Sequence, residues 1–437
     1  MKINQNFLSL FFMFVIVLSV VSPAFSVAQE PAEILTLKQT IDNAIKANLG
    51  LQASREEIKA TEATKKAQRT NFFPTLSATY RYDRNDGENI LIPDERYTFV
   101  ASFTQPLFTG FDLINRYKIA SLGLDAAKIE ERLVRQDIIF EAKNIYFELL
   151  RTQKLLNIAK ETITQINSQK EVAENYYQVG MTPLNDLLQA QVELANAKQE
   201  LIIAKNNMEN AESDFNTLLR RPIDTPVAIE DILDYSPFEK DLDYCFAEAE
   251  KNRLEITIAD LNVEIGEKEL KLARKDYYPS ISLQGNYYRM GTEPDLSDPS
   301  SDLSDSSSWD IQAVATWNFW EWGRTYYGVD EKLSRLSQAK LRKKEILDNI
   351  QKEVKKTYLR TKEAEKAIIT IETAIEQAKE NYRINEERFK EQMATSTDLL
   401  IAQTLLSRTM TNYYNALYAF QIAKAALYRA MGQEIIE

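Results

Sequence analysis

Between Gly328 and Gly432 the chain contains neither glycine nor proline, and the same holds between Gly123 and Gly180. These are the residues that interrupt helices, glycine through its backbone entropy and proline through its missing N–H and its clash with the preceding turn. Tracts this long, rich in Leu, Ile, Ala, Glu, Lys and Gln, predict very long helices. Apolar residues recur at three- and four-residue steps (Ile138, Ala142, Ile145, Leu149, Leu156, Ala159, Ile163, Ile166). Leu149, Leu156 and Ile163 repeat every seven, the spacing of left-handed coiled-coil packing. One helix over 112–179 would be about 100 Å long, roughly three times the ~30 Å hydrocarbon core of a membrane. Lys, Glu and Gln fill its other positions, so the rod is predicted to stand in water.

The chain states its plan twice. An offset of 212 places Met181 on Met393, Asp186 on Asp398, Leu187-Leu188 on Leu399-Leu400, Gln191 on Gln403, Tyr146 on Tyr358 and Phe108 on Trp320. An offset of 205 places Phe72-Phe73-Pro74 on Tyr277-Tyr278-Pro279 and Tyr82 on Tyr287. Internal similarity of this kind marks a repeated structural unit. Each half reads helix, strand, loop, strand, long helix, tip, helix. The halves are 29–220 and 251–437, with strand pairs near 75–107 and 280–320 and tips at 179–186 and 391–398. Residues 221–250, rich in Pro and Asp, form the connector.

The short segments between the helices have a different chemistry. "TLSATYRYD" and "SISLQGNYYR" run outward, and "RYTFVASFTQPLF" and "WDIQAVATWNFW" return. In the last, Ile311, Ala313, Ala315, Trp317 and Phe319 alternate with Gln312, Thr316 and Asn318. Alternating runs of about ten residues are the signature of tilted strands in a membrane barrel. Phe72, Phe73, Tyr277 and Tyr278 precede the outgoing strands; Phe108, Phe111, Trp317, Trp320 and Trp322 end or follow the returning ones. All gather where strands meet helices, the place of an interfacial aromatic belt. A helix–sheet junction in a soluble protein is the alternative. Four strands cannot close a barrel, and open edges do not exist in lipid. Two copies would supply eight strands and a filled interior, whereas three would supply twelve and leave room for a pore.

Composition narrows the function. Residues 1–28 read as a secretory signal, with Lys2, an apolar stretch from Phe7 to Val21, and small residues up to Ala28. Cys245 is the only cysteine, so no intramolecular disulfide is expected, and no cysteine marks a lipid anchor. The chain has no histidine, which removes the commonest general base and zinc ligand. No cofactor, metal site or catalytic set is expected, and the chain is read as not an enzyme. A net charge of −12 speaks against nucleic acid as a partner. After the signal no apolar run approaches the length of a spanning helix.

Two features place the chain near a known family: its doubled plan, with an aromatic-Pro step before each outgoing strand, and the helix start Val179-Gly180-Met181-Thr182 to Leu188. Together they resemble the outer-membrane efflux proteins, the TolC-like channel-tunnels. The resemblance implies a mainly α fold with transmembrane β: a homotrimeric 12-stranded barrel in the outer membrane of a Gram-negative-type bacterium, continued by a periplasmic α-helical barrel. It implies a passive exit duct of a tripartite efflux or secretion system, with outer-membrane lipid, a periplasmic adaptor and an inner-membrane pump as partners. A periplasmic coiled-coil adaptor or spacer without a pore is the rival. Such a protein would carry one helical hairpin between small β-domains rather than two hairpins each flanking strands.

By the same resemblance the two tips contact the adaptor, through Val179, Gly180, Met181, Thr182 and Pro183 and through Gln392, Met393, Ala394, Thr395 and Ser396. A constriction there would involve Asp398, Phe389, Ile401 and Asp186. Phe389, Ala394 and Ile401 stand where the family carries a Tyr, an Arg and a second Asp, so an apolar constriction is expected in place of polar latching. Physical chemistry alone assigns Thr182-Pro183 as an N-cap and first helical position, and Thr395 or Ser396 as the second cap. It also sets Asp186 and Asp398 against the helix dipoles. Gln392 replaces the motif glycine, which predicts a differently turned second tip. The loops 85–95 and 291–308 are expected outside the cell; the latter is Asp/Ser-rich, suited to divalent cations or to plain solvation. The cargo is not encoded in any motif.

Overall fold

A computed structural model describes residues 34–84, 94–297 and 307–434. The signal segment 1–28 and most of the two outer loops lie outside the described residues. In chain order the first half contains β1 (Ile34–Leu35), α1 (Leu37–Ala47), α2 (Leu49–Thr70), β2 (Thr75–Arg84), β3 (Glu95–Thr109), α3 (Asp112–Gln178) and α4 (Leu184–Leu218). After β4 (Ala228–Ile229) come α5 (Leu242–Asn252), α6 (Leu254–Ala273), β5 (Ser280–Gly291), β6 (Ser307–Thr316), α7 (Arg324–Lys390) and α8 (Ser396–Ala430). Both α3 and α7 have 67 residues, and both α4 and α8 have 35.

Two boundaries differ from the sequence reading. The connector ends at Asp241, whose side chain caps α5 by accepting from the Tyr244 N–H at 2.8 Å. Helix α5 is thus the counterpart of α1 at the same offset of 205, its 11 residues hidden by the acidic composition around them. Strand β6 stops at Thr316, because among the described residues no strand lies beside 317–320.

The long helices are held in two ways. Near the tip, α3 and α4 meet through heptad-spaced small and aliphatic residues, Ile166 and Ala173 against Ala190 and Ala197, with Leu400 of α8 closing the cluster. In the middle a larger core gathers Ile41, Leu51, Tyr146, Leu149, Phe215, Leu417 and Phe420. Tyr146 is fully buried there, its hydroxyl within 3.1 Å of the Leu35 carbonyl and 2.8 Å of the Glu230 carbonyl. It therefore pins the parallel β1–β4 pair to α3. The connector is strapped down by polar contacts to its carbonyls: Lys362 Nζ donates to Phe238 O at 2.6 Å and Gln421 Nε2 to Asp234 O at 2.6 Å.

Candidate functional site

The four long strands form one antiparallel sheet in the order β2-β3-β5-β6. Its register sorts side chains by chemistry. One face carries Leu76, Ala78, Tyr80 and Tyr82; Tyr97, Phe99, Ala101 and Phe103; Ile281, Leu283 and Tyr287; and Trp309, Ile311, Ala313 and Ala315. The other is mainly polar, carrying Ser77, Thr79, Arg81 and Asp83; Arg96, Thr98, Ser102 and Thr104; Ser282, Gln284 and Asn286; and Ser308, Asp310 and Gln312, with Val100, Tyr288 and Val314 among them. Period-two alternation along every strand, kept in phase across three ladders, is what produces two such faces. The apolar face is bare: Leu76 is 77% exposed, Trp309 74% and Ile311 66%. On the polar face Asn286 Nδ2 donates to Asp310 Oδ1 at 3.1 Å and Arg96 lies beside Asp83. Gln105 would break the apolar pattern, but its amide donates to the Phe72 and Pro106 carbonyls at 3.0 and 2.8 Å.

Aromatic residues mark both ends of the sheet. At the helix end Phe108, Phe111 and Tyr278 stack edge to face with centroids 5.3 to 6.4 Å apart, and Phe72 meets Tyr117. Phe73, Tyr277, Trp317, Trp320 and Trp322 are exposed beside them. The sequence pattern predicts aromatics at this end alone. The register reveals a second group at the far end, Tyr80, Tyr82 and Tyr97, with ring centroids 4.9 and 6.1 Å apart. The two-residue spacing of Tyr80 and Tyr82 was the available signal, but only the pairing with Tyr97 sets them at one height. Among the described residues no helix is long and apolar enough to cross a membrane, and none form a metal-binding cluster.

The tips lie at the opposite ends of the long helices. Helix α3 ends in a Schellman turn: Gly180 adopts φ 75°, its N–H bonds Tyr177 O, and the Met181 N–H bonds Tyr176 O. Helix α7 ends in the same turn. Gln392 adopts φ 59°, its N–H bonds Phe389 O, and the Met393 N–H bonds Arg388 O. The expectation of a differently turned second tip is thus corrected: the paired hydrogen bonds hold Gln392 in the left-handed region in spite of its Cβ.

The helix starts differ instead. Thr395 and Asp398 form a complete capping box. The Thr395 N–H and hydroxyl donate to Asp398 Oδ2 at 2.9 and 2.7 Å, and the Asp398 N–H donates to Thr395 Oγ1 at 3.1 Å. These bonds, the Thr395 N–H first and its hydroxyl next, hold the Asp398 carboxyl below the usual carboxylate range. Thr182 does not cap α4. The helix begins at Leu184, Pro183 takes the cap position without a side-chain bond, and the Thr182 hydroxyl is buried without a hydrogen-bond partner. Asp186 lies in the first turn of α4, as Asp398 does in that of α8.

Within the subunit the tip residues divide into two sets. Val179, Met181 and Met393 are exposed by 68, 55 and 69%, and Ile401 by 61%. Phe389 is corrected: only 7% exposed, it packs on Tyr176 at 6.0 Å and joins the two hairpins from inside rather than facing an opening. Thr397 adds a second link, its hydroxyl 2.9 Å from Gln189 Oε1. Ser396 is buried, whereas Gln392, Thr395 and Asp398 are exposed.

With this geometry in hand, comparison with known proteins is decisive. The profile described as outer membrane efflux protein matches residues 40–219 and 246–433, nearly all of the described chain. The chain belongs to the outer membrane efflux protein family.

Among curated relatives, the outer membrane protein TolC of Vibrio cholerae is 19% identical over 223 residues, 51% of this chain and 50% of the relative. The match thus spans about half the length of that relative. Solved structures extend the likeness in fold. CusC superposes with a TM-score of 0.80 at 16% identity, over 94% of this chain and 96% of that one. VceC of Vibrio cholerae superposes at 0.78 with 18% identity, over 91% and 96%. The chain therefore shares its fold with these structures along almost its whole length, and as a member of the matched family it is an outer-membrane protein.

Proposed function

We propose that three copies of the chain close a 12-stranded barrel in the outer membrane, continue as a helical tube into the periplasm, and act as the passive exit duct of a tripartite export system. The observation that carries this reading is the sheet, apolar on one face, polar on the other, and unpaired along β2 and β6. Backbone groups left unpaired in lipid each cost several kcal/mol, so these edges must be joined. Strands of ten residues tilted by roughly 40° reach about 25 Å, the height of the apolar band of such barrels. The polar face then lines water and the two aromatic groups sit at the two interfaces.

The helices support the same assembly. Leu184, Leu188 and Val192 follow one another every four residues on α4 and are 46, 49 and 57% exposed. Ile401 and Leu405 repeat the pattern on α8 at 61 and 46%. Apolar stripes of this kind on helices in water call for a covering surface, which neighbouring copies provide. Helices of about 100 Å carry the duct far below the barrel. The exposed tip residues from Val179 to Pro183 and from Gln392 to Thr395 then meet a periplasmic adaptor linked to an inner-membrane pump. Asp398 and Asp186, each present three times around the axis, narrow the entrance and give it an acidic character, while Ile401 lies in the seam between copies. No bond is made or broken; cargo passes.

Planar-bilayer recording tests the reading. Purified protein is expected to insert with stepwise conductance and to run as an SDS-resistant trimer until heated. Absence of both overturns it. Asp398→Ala is expected to weaken block by divalent or trivalent cations added on the tip side, and unchanged block removes Asp398 from the constriction.

A further inference from the structure

Resting on the trimeric reading above, we infer the register in which subunits meet: β6 of one copy pairs with β2 of the next with Trp317 opposite Ala78, and residues 317–321 become strand in that pairing. The template lies inside the chain. Hairpins β2–β3 and β5–β6 are joined by the β3–β5 ladder. Their internal registers are equivalent: Thr75 faces Thr104 and Ser280 faces Thr316, positions related by the offsets of 205 and 212 seen in the sequence. Applied to β3–β5, the same offsets specify the missing ladder. Gln105 opposite Leu283 becomes Trp317 opposite Ala78, and Phe108 opposite Ile281 becomes Trp320 opposite Leu76.

Strand lengths support this. Strand β3 has 15 residues and β6 has 10. The difference is the stretch 317–321, the counterpart of 105–109, which is strand because β5 lies alongside it. Burial supports it too: Leu76 is 77% and Trp320 68% exposed in the lone subunit, and the pairing sets each against the other. So does face chemistry. The register keeps Trp317 in the apolar row of Ala78 and Asn318 in the polar row of Ser77, whereas a slip of one residue would cross the faces.

The equivalence stops at the turn below. A Cβ on Gly110 would stand 2.4 Å from the Lys275 carbonyl oxygen, yet the counterpart of Gly110 is Trp322. The next subunit's chain must lie farther from that turn than Lys275 lies from Gly110. The inference therefore concerns the ladder alone.

The test is cysteine pairing in the full-length protein carrying Cys245→Ala. Ala78→Cys with Trp317→Cys, oxidised in detergent, is expected to give covalent dimers and trimers that reductant dissolves. Ala78→Cys with Ala315→Cys, slipped by two residues, should link at least about tenfold less, since opposed Cβ atoms near 4 Å suit a disulfide and diagonal ones do not. Stronger linkage in the slipped pair overturns the register while leaving the trimer intact. No linkage in either pair, with three chains still counted by native mass spectrometry, overturns the β6–β2 contact. A monomer overturns the trimer as well. Ser77→Cys with Asn318→Cys, on the polar face, repeats the test should loss of Trp317 impair folding.

Discussion

The two tips make the same turn with different residues at the left-handed position, and exchanging those residues gives a controlled measurement. Gly180 and Gln392 adopt φ 75° and 59° and support the same pair of backbone hydrogen bonds. Nothing lies within 4 Å of where a Cβ on Gly180 would stand, so a side chain there adds conformational cost with no clash. That cost is about 1 kcal/mol for a non-glycine residue in the left-handed region. Gln392→Gly should therefore stabilise the second turn by about 1 kcal/mol, and Gly180→Gln should destabilise the first by about the same amount, a factor of about five in local opening at 25 °C. Hydrogen exchange with mass spectrometry on the purified assembly reads this directly. In Gln392→Gly, exchange at the Gln392 and Met393 amides should slow about fivefold, and in Gly180→Gln exchange at the 180 and 181 amides should quicken about fivefold. If both variants exchange like the parent, backbone strain is not what limits opening of the tips.

Other perturbations follow from single contacts. The carboxyl of Asp398 is depressed by its Thr395 partners, so its contribution is complete above the ordinary carboxylate range and is lost as pH falls through its lowered value. Protection of the amides at the start of α8, taken relative to the intrinsic exchange rate at each pH, should accordingly fall on acidification more than at the start of α4, which has no such box; equal responses refute this. Lys143 is 6% exposed, and burial, followed by the charge of Lys424, brings its ammonium down from 10.5 to about 8. Below pH 8 it is charged in folded and unfolded chains alike and opposes folding, an opposition relieved as pH rises towards 10.5. The parent's thermal midpoint should then gain from a rise in pH between about 8 and 10 in a way that Lys143→Met does not. An identical pH profile in the two proteins contradicts the assignment. Tyr146→Phe strips a buried donor from the Leu35 and Glu230 carbonyls and should cost about 1 to 2 kcal/mol, read as a lower midpoint with conductance unchanged.

The tip shows how a motif can be legible while its mechanism is not. The doubled stretches around Gly180 and Gln392 announce two hairpins, and residue types alone narrow the second cap to Thr395 or Ser396 with Asp398 in the first turn; the structure selects Thr395. That Phe389 turns inward onto Tyr176 cannot, because an aromatic near a helix end suits either side until the partner helix is placed. Thr182 misleads for a related reason. A threonine before Pro183 has the composition of a cap, but its hydroxyl is buried one residue short of the cap position.

What the sequence determined by itself is everything set by local periodicity: rods without glycine or proline, four alternating segments, and a plan written twice at offsets of 205 and 212. Backbone preference and side-chain alternation act over a few residues, so they are visible in one dimension. Tertiary structure decided which segments become neighbours. The phase of Tyr97 against Tyr80 and Tyr82 makes a second aromatic level, and the inward turn of Phe389 makes a joint. Residues 317–320 end β6 early because among the described residues no strand lies beside them. Backbone hydrogen bonds between strands join residues far apart in the chain, and no local pattern carries the identity of a partner.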